Sequence, residues 1–251
     1  MSSRYYQDAP MNPYAVANVG ASARAQFIRA TYGHLAGAVA VFLGILAFVF
    51  TYMIPTREAA IAFFENYFSN RFSMILLVVG FIAIGYLARY WANSQTSRAM
   101  QYAGLALYTV AEAVIFIPIM CIAIFFIPSQ DGGLGILGQA GILTLSLFGG
   151  LTAAVFITQK DFSFLGTILM IGSFIALGVI VAGWIFGFTL GLFFSFFMVA
   201  LASGFILYTT SNILHHYPTD AYVAASLELF ASLALLFYYI LMILIQMNGR
   251  D

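Results

Sequence analysis

Charge is what this chain has least of: nine Lys or Arg and nine Asp or Glu, 7% of 251 residues. A soluble domain carries about 25% charged residues because its surface has to meet water. So small a share excludes a soluble enzyme and a nucleic-acid binder. Cysteine is limited to Cys121, which rules out an internal disulfide framework and a cysteine-rich metal site. The single lysine, Lys160, falls in a connection, whereas a retinal Schiff base requires a buried lysine. Every Asp also falls in a tail or connection, so no aspartyl intramembrane protease is encoded. His-Glu-x-x-His and the phosphate-gripping Gly-x-x-x-x-Gly-Lys-Ser/Thr are both absent, against a zinc intramembrane protease and an ATP-driven pump. No cofactor is called for, and the abundant Phe and Tyr need none to explain them.

What is present is apolar: 63% of the residues are hydrophobic, the composition of a polytopic membrane protein. Seven apolar stretches follow a polar beginning, at residues 33–54, 72–92, 101–127, 137–158, 164–186, 190–214 and 221–247. Each reaches the ~20 residues that cross roughly 30 Å of hydrocarbon. The expected fold is therefore an all-α, seven-helix membrane bundle over residues 26–251. Only Gly187, Phe188 and Thr189 separate the fifth stretch from the sixth, so six helices with one long re-entrant element is the alternative count. Residues 1–25, with Pro10 and Pro13, read as a disordered polar tail without the pattern of a signal peptide. Residues 56–71 space Ile61, Phe64 and Phe68 as one greasy face among Arg57, Glu58 and Glu65. That pattern fits a short helix lying in the membrane interface, or else a plain structured loop.

Small residues suggest helix contacts at Gly33-x-x-x-Gly37 with Ala40 and Gly44, at Gly149 and Gly150, and at Gly172, Gly178 and Gly183. With seven spans, Arg4, Arg24, Arg29, Arg89, Arg98 and Lys160 share one side, and Arg57, Arg71 and Arg250 the other. The positive-inside rule then places the N-terminus in the cytoplasm and the C-terminus outside. Tyr86, Tyr90 and Trp91 fit an interfacial belt.

Two carboxylic acids fall within apolar stretches, where a charge costs about 2.5–3.5 kcal/mol on insertion scales. Glu112 lies roughly 16 Å into the third stretch, near the midplane, six residues before the helix-kinking Pro118. It either lines a polar cavity or acts as protonated structural glue. Glu228 lies roughly 10 Å into the seventh. Because the turn at 215–220 is short, Thr209 of the sixth stretch falls level with Glu228, and Asn212 one turn nearer the loop. Snorkelling to the headgroups is the expected fate of Arg89, with inward pairing to Glu228 as the alternative. His34 reads as interfacial. His215 and His216 read as polar loop, or as a proton sensor near neutral pH.

The run Ser203-Gly204-Phe205-Ile206-Leu207-Tyr208-Thr209-Thr210-Ser211, followed by Tyr222-Val223-Ala224-Ala225-Ser226-Leu227-Glu228-Leu229-Phe230, resembles the closing helices of the Bax inhibitor family. Tyr108-Thr109-Val110-Ala111-Glu112-Ala113 with Pro118, and Phe27-Ile28-Arg29-Ala30-Thr31-Tyr32, resemble its third helix and the entry to its first. The resemblance covers residues 24–247. It implies a seven-helix membrane protein, not an enzyme, in a bacterial plasma (inner) membrane, with pH-sensitive calcium leak, cell-death suppression or modulation of a membrane protease as the expected activities. In calcium-conducting members an aspartate on each of the last two helices shares a proton, and an arginine of the second helix, best matched by Arg89, latches the pair. Here Glu228 takes the second place and Thr209 the first, so the coupled acid pair is missing. One Glu and one Thr also supply few of the six to eight oxygens that calcium prefers. Two readings follow: a passive cation leak gated by Glu228, or a non-conducting regulator that binds another membrane protein.

Overall fold

The computed structural model describes residues 15–68, 71–94, 97–127 and 133–249. Eight helices run through them: α1 (Ala21–Phe48), α2 (Arg57–Phe68), α3 (Arg71–Ala92), α4 (Arg98–Cys121), α5 (Gly133–Thr158), α6 (Leu165–Phe186), α7 (Leu192–His215) and α8 (Tyr222–Asn248). Six are long and apolar enough to cross a membrane; the apolar run of α3, Leu76–Ala92, is shorter. The fold is thus an all-helical membrane bundle. The fifth and sixth stretches are two separate helices, because Gly187 adopts φ 74 and ends α6 with its N–H on the Gly183 carbonyl at 2.9 Å. That left-handed step is cheap for glycine alone.

The bundle is organised around α8, which packs against α1, α3, α4, α5 and α7. Val223, Ala224, Ala225, Leu227, Leu229, Phe230 and Leu233 are all buried, so α8 is enclosed on every face. A helix apolar all round belongs in such a place. The outer helices keep large apolar side chains exposed, among them Leu76 and Val79 on α3, Ile142 and Leu145 on α5, and Phe174 and Ile175 on α6. With every helical backbone group bonded internally, such a surface suits hydrocarbon.

Close helix approaches fall mostly at other glycines than the spacing suggested. A Cβ on Gly33, Gly37, Gly44, Gly149, Gly150 or Gly178 meets nothing within 4 Å. At Gly104 of α4 it would stand 2.5 Å from the Ala88 carbonyl oxygen and 2.6 Å from the Ala92 nitrogen of α3, so the two backbones touch there. Gly172 and Gly204 make the α6–α7 seam, against Leu201 and Leu169.

Of the tail expected over 1–25, residues 1–14 lie outside the described residues. Beyond them the chain is ordered: Val16 is fully buried, and its N–H donates to the Tyr217 carbonyl at 2.9 Å. α1 begins at Ala21, well before the apolar stretch, because residues 21–32 contain no helix breaker. Of residues 56–71, Arg57–Phe68 form α2 and Arg71 opens α3, while residues 69–70 are outside the described set. Ala60 is buried, Phe63 and Phe64 pack on Val49, Ile54 and Cys121, and Ile61 is exposed. Both α1 and α4 end in wide π turns beside α2, Val49–Met53 and Ile122–Phe126. The α4 helix passes Pro118 without interruption before widening.

Candidate functional site

Helices α3, α4 and α8 converge on a cavity of about 650 Å³ whose walls also include α6 and α7. Among its lining residues the charged ones are Arg89, Glu112 and Glu228. Arg89 turns inward rather than snorkelling: its Nε donates to Glu228 Oε1 at 2.9 Å. Its guanidinium carbon lies 5.1 Å from the centre of the Tyr108 ring, a cation–π arrangement. The α3–α4 contact at Gly104 brings the end of α3 close enough for this reach. A guanidinium near hydrocarbon is costly without partners, and the pairing supplies both a carboxylate and an aromatic face.

Glu112 lies one helical turn beyond Tyr108 on α4 and is 6% exposed. It shares the cavity with the Arg89–Glu228 pair, and Pro118 lines the same wall. Among the described residues no Lys, Arg or His lies within ion-pair distance of Glu112. Glu112, Glu228, Arg89 and Pro118 are therefore brought together. Thr209 and Asn212 are not part of this lining. Thr209 is buried in α7, and no hydrogen bond joins it to Glu228. The Asn212 carbonyl accepts the N–H groups of His216 and Tyr217 at 2.8 and 2.9 Å, closing the end of α7. The expected Thr209–Glu228 partnership is not formed; Glu228 is held instead by Arg89 through a charge-assisted bond, the alternative pairing of the sequence analysis.

Tyr108 of the site and Tyr217 near it are not singled out by the sequence analysis. Tyr108 was legible in principle, four residues before Glu112 and so on the same helix face. Tyr217 sits in the α7–α8 turn, beneath the buried Val16. Its phenol is pushed up by burial, and further by the negative charge of Glu228 and by Tyr208.

The loop histidines have partners. His216 Nε2 lies 2.9 Å from Asp161 Oδ2 on the α5–α6 connection, and His215 Nδ1 lies 2.9 Å from the Ser211 carbonyl. Burial pulls the Asp161 carboxyl up, but the Ser163 backbone N–H, His216 and the Ser163 side chain outweigh it and bring it down to about 2. Ser211 Oγ accepts the Phe162 N–H at 2.8 Å, tying the same two connections together. His34 bonds Tyr102 Oη at 3.1 Å and lies between the Tyr102 and Tyr222 rings. No group of three or more His, Cys, Asp or Glu that could hold a metal ion occurs among the described residues.

Comparison with known proteins gives the family. The family model "Inhibitor of apoptosis-promoting Bax1" matches residues 24–249. An uncharacterized protein of Pseudomonas aeruginosa is 30% identical over 228 residues, 89% of this chain and 90% of its own length. A BI1-like protein of Arabidopsis thaliana is 38% identical over 116 residues, 43% of this chain and 44% of its own. Bax inhibitor 1 of Schizosaccharomyces pombe is 33% identical over 118 residues, 45% of this chain and 43% of its own.

Proposed function

The chain belongs to the Bax inhibitor family, and we propose that it is a passive, pH-gated cation leak whose gate is the Arg89–Glu228 pair. The observation that carries this reading is the 2.9 Å bond between α3 and α8 at a cavity that also holds Glu112. In the closed form the guanidinium is clamped by one carboxylate and one aromatic ring. Protonating Glu228 removes the negative charge opposite Arg89 and with it most of the attraction. The α3–α4 pair is then free to move against α8, and Glu112 offers a passing cation a second carboxylate. Calcium and protons are the ions proposed. The absence of a second acid at Thr209 makes this a gate of one carboxylate and one arginine rather than of two acids.

In this reading α3 completes seven spans. The α1 start, the α5–α6 connection and the α7–α8 turn face the cytoplasm of a bacterial inner membrane, and the C-terminus lies outside. The Lys and Arg distribution supports that orientation. Calcium flux from liposomes holding the purified protein, recorded across pH, tests the function. Efflux at the protein-free level at every pH would remove it.

A second reading has its own support. Ile61 and Tyr67 stay exposed on α2 while the opposite face is packed, as expected of a surface for another membrane protein such as a protease. Purification from native membranes that yields a stoichiometric partner, together with null flux, would favour this regulator.

A further inference from the structure

The cavity has features that ion passage does not require. Its volume, about 650 Å³, lies in the ~300–1,000 Å³ range of small-molecule sites, which are apolar with a few placed polar groups. The wall is largely aliphatic and aromatic, with Tyr108, Phe194, Tyr238 and Tyr239 contributing ring surface. α3 packs on α4 and α6 on α7, and the cavity lies between these pairs. Val78 and Ile82 of α3 and Leu177 of α6 line it while remaining 38%, 38% and 40% exposed. It therefore opens sideways between α3 and α6, on the apolar outer surface of the bundle.

The ionisable groups inside are unbalanced. Two carboxyl groups face one guanidinium, and that guanidinium is bonded to Glu228. Glu112, 6% exposed, forms no ion pair among the described residues; its polar neighbours are the Tyr108 hydroxyl and, at longer range, the charge of Arg89. A hydrophobic anion would meet two acids and an arginine already neutralised. A neutral lipid tail would bring no positive charge to Glu112. A hydrophobic cation would satisfy both terms, its body against the rings and its charge against Glu112, with the cation–π attraction of the aromatic wall added.

We propose that this cavity is a binding site for lipophilic organic cations, entered from the bilayer between α3 and α6, with Glu112 as the counter-ion. The site is independent of whether the cavity conducts, since binding is read without flux. Tetraphenylphosphonium is a suitable probe, and tetraphenylborate, of the same shape and opposite charge, the control. Equilibrium dialysis against the purified full-length protein is expected to show saturable, one-to-one binding of the phosphonium and at least tenfold weaker binding of the borate. Glu112→Gln should weaken phosphonium binding at least tenfold and abolish the rise in melting temperature that the ligand gives the native protein. Leu177→Trp, at the exposed edge of the opening, should weaken it comparably by obstructing entry and space, and decides the question if Glu112→Gln does not fold. Equal affinity for the two ions, or unaltered phosphonium binding in a folded Glu112→Gln or in Leu177→Trp, would overturn the proposal.

Discussion

Arg89 of α3 and Glu228 of α8, 139 positions apart in the chain, meet at 2.9 Å with the guanidinium over Tyr108 of α4. One side chain thereby ties three helices at the edge of the cavity. The pair is only partly buried, at 40% and 31% side-chain exposure, so it is not the deeply desolvated kind whose loss is ruinous.

The coupling between these residues is measurable. Arg89→Met and Glu228→Gln should each lower the melting temperature in detergent. The double variant should be more stable than the sum of the two losses predicts, by an interaction of about 1 kcal/mol. Strict additivity would mean that the contact contributes nothing.

Gly104 offers a test of packing. A Cβ there would strike the α3 backbone at 2.5 Å, and backbone cannot step aside. Gly104→Ala should destabilise by about 1–3 kcal/mol through overpacking, while Gly37→Ala, inside α1 with open space around it, should keep thermal stability or raise it by up to about 1 kcal/mol. Equal melting temperatures for the two variants would contradict the described α3–α4 contact.

Asp161 gives a pH-dependent term whose sign follows from its shift. Its carboxyl is held down at about 2, against an ordinary value of 3.8. A depressed acid contributes stability that is present above its unfolded pKa and is lost as pH falls through the folded one. Asp161→Asn should therefore lower thermal stability at pH 7, and the gap should close as pH falls from about 4 to about 2. Because the pair with His216 is about half exposed, screening keeps the difference below about 1 kcal/mol. A gap that widens on acidification would show that Asp161 is not stabilised as its charged form.

The helices were largely legible because apolar runs of membrane length leave few alternatives: α3, α6 and α8 begin and end within a few residues of the predicted stretches. Helix faces were not. In a bundle surrounded by hydrocarbon both the packed and the outer side of a helix are greasy, so periodicity could not tell Ala60 and Phe63 from Ile61, or the touching Gly104 from the open Gly37. Glu112 and Glu228 stood out, since a carboxyl among apolar residues is anomalous in any register. The partner of Glu228 is legible only as an alternative. Level position on adjacent helices points to Thr209, but the long Arg89 side chain reaches across from α3 and makes the contact instead.

The pH profile of calcium efflux from liposomes bearing wild-type protein or Glu228→Gln tests the gate most directly. The wild type should leak little at neutral pH and increasingly as pH falls, because protonation releases Arg89. The glutamine variant, with no charge to lose, should leak at neutral pH and show no such rise. Identical profiles for the two proteins across the whole range would contradict a gate built on Arg89 and Glu228.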